Sequence, residues 1–276
     1  MFFFVDAFGI RYYRGMSGKI TILLSTGSIF HLPLADQFRA AKESGFDGVE
    51  LMLGPELEHV PDAQFASLSE THNVSIRCVH APFFAASGLT DDYVREIDRA
   101  IETARRVNAV LVNLHPFGLI RRPEEVRHLA ERAGDIILST ENMPRGIDIF
   151  DPDEAPVIHD HEALNDFAGA NGLKMTYDVS HFATWGRDIF SGYRLFQANV
   201  ANIHVSDYIA GYQHLLPGRG ELPLRGLLRL VGAEGVAAFV TLEASPDSFG
   251  RKGYEFVVEA LTTAREFIEK ELRRGT

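Results

Sequence analysis

The chain has 276 residues, 46% hydrophobic and 24% charged, enough apolar material for one sizeable core. Its net charge of −11 leaves no basic footprint for nucleic acid, although a bound metal cluster would add positive charge. One cysteine, Cys78, excludes an internal disulfide framework and suits a reducing cytoplasm, the expected location; no apolar run approaches the roughly 18–20 residues of a membrane span.

The chain begins MFFFVDAFGIRYYRGM, which looks like a targeting segment only superficially. It has no basic start, Asp6 interrupts its apolar run, and no small-residue cleavage site follows. Residues 1–16 are therefore expected as a peripheral extension, ahead of one domain over 17–276. From there short β-branched or leucine-rich runs alternate with longer amphipathic ones. Strands are predicted near Ile20–Ser25, Gly48–Leu53, Ser75–His80, Ala109–His115, Ile136–Glu141, Leu173–Asp178, Val200–Val205 and Phe239–Glu243. Helices are predicted near Pro33–Ser44, Asp91–Val107, Pro123–Gly134, His161–Asn171, Pro223–Gly232 and Gly253–Leu272.

Strands recur about every 30 residues, the size of one βα unit. Alternating strands and helices imply a parallel sheet, because parallel neighbours need a crossover connection. Eight units point to an α/β fold, a single (β/α)8 TIM barrel; a doubly wound open sheet is the structural alternative. No G-x-G-x-x-G follows the first strand, where LLSTGSIFH stands, and this disfavours the open sheet.

Eight histidines and carboxylates fall where these strands run out: His80, His115, Glu141, Asp178, His181, His204, His214 and Glu243. Imidazole nitrogen and carboxylate oxygen are ligands for Zn²⁺, Mn²⁺ and similar ions. A lone histidine there is more often structural, and a lone carboxylate more often a helix cap. As a set they differ, because carboxylates crowded on one barrel mouth repel and need a cation to balance them. Parallel barrels build active sites at this end. His31, His59, His72, His128, His159 and His161 lie elsewhere and are expected to be solvated.

The segments FDGVEL (46–51), VHAPF (79–83), TENMP (140–144), DVSH (178–181), HVSD (204–207) and PGRG (217–220) resemble the xylose isomerase-like barrel superfamily. The resemblance runs from about residue 20 to 270. That superfamily holds sugar and sugar-phosphate isomerases and epimerases, inosose dehydratases and abasic-site nucleases of the endonuclease IV type. The resemblance implies that Glu141, Asp178, His204 and Glu243 hold one divalent metal (Mn, Co, Mg or Zn). It also implies that Glu141 and Glu243 exchange protons with a ketose from opposite faces. A metal chelating adjacent carbonyl and hydroxyl oxygens acidifies the C–H between them and stabilises an enediolate. His80 and His115 leave room for a second metal. His181, His214 and Arg219 are expected to contact substrate; for Arg219 a solvent-facing turn is an equal alternative. Trp185 and Phe83–Phe84 are candidates for an apolar wall, with ordinary packing favoured.

The resemblance to endonuclease IV is the competing reading. That family uses nine ligands for three zinc ions, and the chain matches eight. Tyr212 stands where the ninth, an aspartate, is expected, which would leave the third site only His181 and His214. The loop LGPELEHVPD is acidic and lacks the wedge that enters and distorts duplex DNA. A sugar or sugar-phosphate substrate is favoured and nucleic acid disfavoured. A non-catalytic binding barrel is a third reading, disfavoured by the two intact glutamates. Barrels of this kind often dimerise, so a homo-oligomer remains an open expectation.

Overall fold

The computed structural model describes residues 20–82, 92–147, 152–250 and 252–276, together with two short strands at 4–5 and 11–12. Those strands, β1 (Phe4–Val5) and β2 (Arg11–Tyr12), pair antiparallel in a sheet of their own. Then β3 (Thr21–Ser25), α1 (Leu34–Glu43), β4 (Gly48–Met52), α2 (Asp62–His72), β5 (Ser75–His80) and α3 (Asp92–Arg106) alternate. The rhythm continues through β6 (Leu111–Leu114), α4 (Pro123–Ala133), β7 (Ile137–Glu141), α5 (Ala155–Ile158), α6 (His161–Ala170) and β8 (Lys174–Asp178). After α7 (Val179–Ala183), α8 (Ile189–Phe196) and β9 (Val200–Val205) comes a hairpin of β10 (Asp207–Ile209) and β11 (Tyr212–Leu215). The chain ends with α9 (Leu224–Glu234), β12 (Phe239–Leu242) and α10 (Tyr254–Arg273).

Eight strands close a parallel barrel in the order β3-β4-β5-β6-β7-β8-β9-β12. Phe239↔Thr21 through Leu242↔Leu24 join its ends, which excludes the open doubly wound sheet. Every predicted strand and helix is present, with ends within two residues of the expected ones. The sequence reading did not anticipate α2, α5, α7 or α8. Helix α2 buries only Phe65, so its apolar pattern is faint. Helix α7 is a short turn whose N-cap is the Asp178 carboxylate, accepting from His181 N at 2.6 Å.

Side chains alternate along a strand, so residues two apart stack in layers inside a barrel. The deepest layer is apolar: Leu23, Cys78, Leu111 and Phe239 are buried together. Two residues onward on the same strands stand Ser25, His80, Asn113 and Thr241, all buried. Two further, just beyond β6 and β12, come His115 and Glu243. Strands β7, β8 and β9 run Ser139 to Glu141, Thr176 to Asp178 and Asn202 to His204 at the same spacing, again buried. The barrel interior therefore changes from hydrocarbon to ligand atoms over one strand length. Outside it, Ile22, Val49, Leu51, Val79 and Val112 belong to the main core. Close packing seals the outer layer: a Cβ on Gly232 of α9 would lie 2.1 Å from Leu272 O of α10. No helix among the described residues is long and apolar enough to cross a membrane.

Candidate metal centre

Glu141, Asp178, His204 and Glu243, on β7, β8, β9 and just beyond β12, converge at one point, one potential ligand atom of each lying within 4.8 Å of the others. His204 Nδ1 is 2.8 Å from Glu243 Oε2, 3.4 Å from Glu141 Oε2 and 4.0 Å from Asp178 Oδ2. Glu141 also belongs to a second group with His80 and His115. Its Oε2 lies 3.5 Å from His80 Nε2 and 3.9 Å from His115 Nε2. His80 Nδ1 is tied to Ala81 O at 2.7 Å, so Nε2 is the nitrogen that faces inward. The His115 peptide is clamped by the Tyr93 hydroxyl, which donates to its carbonyl and accepts from its N–H.

His181 and His214 meet with their Nε2 atoms 3.0 Å apart. The sequence reading left this third position with two ligands only. In the structure Asp178 lies close enough to form with His181 and His214 a group that could hold a metal ion. The reason is local, since α7 starts at Asp178 and brings His181 back over it. His214 sits in β11 with φ +57°, a left-handed conformation that is rare outside glycine. Its carbonyl accepts from Ser245 N at 2.7 Å, and its Nδ1 lies 3.2 Å from Glu243 O. The loop after β12 thus holds a strained residue in place. Tyr212, opposite Ile209 in the same hairpin, is 71% exposed.

Burial by itself would push the Glu141 carboxyl up; the charge of His204 and contacts from His181, His204 and His80 outweigh it and hold Glu141 well below the usual range. For Glu243 burial is again outweighed by His204, and the carboxyl falls to about 2. Burial opposes the His181 charge, but Asp178 and Glu141 raise it to about 9. His204, likewise desolvated, is held well above its normal value by Glu243, Glu50 and Glu141. Ionised carboxylates and proton-hungry imidazoles crowd one buried point. Glu141 Oε1, Asp178 Oδ2 and His204 Nδ1 are buried without a well-aligned hydrogen bond, although Glu141 Oε1 lies 3.0 Å from His181 Nδ1 and His204 Nδ1 lies 2.8 Å from Glu243 Oε2. Carboxylate oxygens and an imidazole nitrogen gathered at one point are a donor set that fits a divalent cation.

Several contributors escaped the sequence reading. Glu50, inside β4, is fully buried and faces His204. Asn113 donates to Glu141 Oε2 at 2.8 Å, fixing that carboxylate. Asn142 donates to Asp178 O and accepts from Asp178 N, at 2.9 and 2.8 Å, anchoring a ligand-bearing backbone. A signal was present: these polar residues interrupt apolar strands at, or next to, the parity of the strand-end ligands.

The loop carrying PGRG is organised by Asp207, whose carboxylate accepts from Tyr208 N, Gly218 N and Leu222 N at 2.9–3.0 Å. Arg219 is exposed there. Trp185 is half-buried; its Nε1 donates to Met143 O at 3.0 Å and its ring meets His159 and His161 edge-on, so it ties the loops after β7 and β8 together. Phe83 and Phe84 lie outside the described residues. His161 is a correction: expected in solvent, it is buried against Phe182, Trp185 and Phe196.

The description "xylose isomerase-like TIM barrel" matches residues 38–269. The chain belongs to that family. An uncharacterized protein of Mycobacterium leprae is 29% identical, the alignment covering 92% of this chain and 99% of that one. Fructoselysine 3-epimerase of Shigella flexneri is 25% identical, over 77% and 85% of the two chains. Among solved structures, an L-ribulose 3-epimerase superposes with a TM-score of 0.74 at 15% identity, covering 93% of this chain and 96% of that one. The fold is shared throughout.

Proposed function

We propose that the protein is a divalent-metal-dependent sugar or sugar-phosphate isomerase or epimerase that works through an enediolate, with Glu141 and Glu243 as its acid and base. The observation that carries this is the pairing of those two carboxylates in one buried four-residue group, both held ionised. Membership of the family and similarity to a fructoselysine 3-epimerase support it. Glu141, Asp178, His204 and Glu243 would hold the metal, with His80 and His115 able to hold another. When bound, Mn²⁺, Co²⁺, Mg²⁺ or Zn²⁺ would draw electron density from neighbouring carbonyl and hydroxyl oxygens of a ketose and acidify the C–H between them.

The remaining work falls to side chains. An ionised glutamate in a buried site is a base without a competing hydration shell, and it takes the proton from carbon. The partner glutamate first takes up a proton from water and then delivers it to the opposite face of the carbon, which inverts it, while the base releases the proton it abstracted to water. His181 and His214 would donate to substrate oxygens, and Arg219 would close on a terminal hydroxyl or phosphate. We place the protein in the cytoplasm, in keeping with its lone buried cysteine.

A second reading, abasic-site cleavage with a multinuclear zinc site, draws on the group of Asp178, His181 and His214. One paired assay separates the two. Purified protein should contain a divalent metal by elemental analysis, and with Mn²⁺ should exchange deuterium from D₂O into a carbon of a ketose panel. Nicking of an abasic-site duplex without ketose exchange would overturn the sugar reading, and failure to take up any metal would overturn both.

A further inference from the structure

We propose that Glu50 is a positioning residue of the metal centre: it holds His204 with its proton on Nε2, so that Nδ1 is the atom presented to the metal. The inference rests on the reading of Glu141, Asp178, His204 and Glu243 as a metal site.

Glu50 and His204 are both fully buried, and Glu50 Oε1 lies 3.0 Å from His204 Nε2. A neutral imidazole has one N–H and one lone pair. Carboxylates face both ring nitrogens, Glu50 Oε1 at Nε2 and Glu243 Oε2 at Nδ1; a metal taken on the Nδ1 side leaves the remaining proton on Nε2, where Glu50 accepts it. The carboxylate is itself fixed. Its Oε2 accepts from Asn202 Nδ2 at 2.8 Å, and Thr241 Oγ1, 3.4 Å away, donates better to Asn202 Oδ1 at 3.0 Å. Three residues from three strands, β4, β9 and β12, therefore set the plane of one imidazole.

Glu50 can also be grouped with His80 and Glu243 as a metal ligand. Its hydrogen bonds argue against that role. Both of its oxygens already accept from donors inside the barrel, Oε1 from His204 Nε2 and Oε2 from Asn202 Nδ2, on the side of His204 away from Glu243. Nor is a buried carboxylate a cheap filler: an apolar side chain of similar volume is often as stabilising at such a position. The same device recurs across the barrel, where Asn113 fixes Glu141 and is itself held by Ser139 Oγ at 3.2 Å.

The test uses ¹⁵N-histidine-labelled full-length protein as wild type, Glu50→Gln and Glu50→Leu, stripped of metal and then loaded with Zn²⁺. In wild type His204 should show a slowly exchanging Nε2–H resonance that persists on loading. Glu50→Gln retains an oxygen acceptor and should keep both that resonance and most of the affinity for Mn²⁺ measured by calorimetry. Glu50→Leu should lose the resonance and bind Mn²⁺ roughly 10–100-fold more weakly, while melting as one cooperative unit. If Glu50→Leu does not fold, Asn202→Ala replaces it, with weaker Mn²⁺ binding expected and unchanged binding counting against the proposal. Wild-type affinity in Glu50→Leu overturns the idea. If wild type takes up no metal, the metal reading fails separately, and the stripped protein still decides the Glu50–His204 bond: absence of the Nε2–H resonance overturns it.

Discussion

Two sites in this molecule bury carboxylates and differ in what meets them. On α10, Glu271 has a fully buried side chain met by three guanidiniums. Arg225 donates to Oε1 at 3.0 Å, Arg274 to the same oxygen at 3.2 Å, and Arg229 to Oε2 at 2.7 Å. Arginine stays charged at any working pH, and both oxygens have partners, so that cluster is complete. At the barrel mouth the partners are imidazoles, whose charge depends on their surroundings, and carboxylates gather with them within reach of one ion. The first arrangement ties α9 to α10. The second is a group that could hold a cation. The kind of partner, fixed guanidinium charge against titratable imidazole, rather than burial, separates the two.

The comparison breaks at its strongest point if the mouth tolerates loss of a carboxylate. Glu243→Gln is expected to lower turnover by roughly 10²–10⁴-fold, the usual worth of a positioned acid or base, with an unchanged circular dichroism spectrum. Near-normal turnover in that variant would remove Glu243 from proton transfer. At the other cluster the expected loss is of stability alone. Glu271→Gln leaves three exposed arginines without their buried anion and should lower Tm by about 2–4 °C, with Mn²⁺ affinity unchanged by calorimetry. A drop in affinity there would mean that the clusters are coupled through the barrel wall.

The sequence exposed most of the barrel because strand and helix periods differ so sharply, and strands such as β5, β7 and β8 end on a residue chemically unlike their apolar body. IILSTE and VANIH carry their ligands at the last or next-to-last position. The layer beneath was harder to read. Asn113, Ser139, Thr176, Asn202 and Thr241 are ordinary strand residues singly, and only the closed barrel shows that they share an interior. Glu50 sat in a quoted motif, FDGVEL, with no role attached. It lies in mid-strand, and its partner His204 is 154 residues away. Pairings at such separation leave no local pattern. The third ligand group was missed for the opposite reason, since it needed the tight α7 turn that carries His181 back over Asp178.

The smallest effect is expected from His161, which contrasts with the mouth because its environment disfavours charge. Its ring lies 4.6 Å from Phe182, centroid to centroid, and Arg187 Nη1 is 3.2 Å from Nδ1. Burial and then the Arg187 charge lower its pKa to about 4, against the modest pull of Asp160. An unfolded histidine titrates near 6.5. Between pH 4 and 6.5 the unfolded chain therefore binds the extra proton, so the stabilising contribution of neutral His161 is present above 6.5 and lost as pH falls through that window. His181, raised to about 9, has the opposite sign: its contribution is complete below 6.5 and fades as pH rises toward 9. Metal-stripped protein measured alone would mix the two. His161→Phe keeps the aromatic stack and deletes only the first, so its Tm should fall less than wild type between pH 7.5 and 5, by a difference of about 2–4 °C. Parallel pH profiles for the two proteins would show that His161 does not titrate in that range. A steeper fall in the variant would mean that the buried imidazole gains a proton on folding and that Arg187 yields to it.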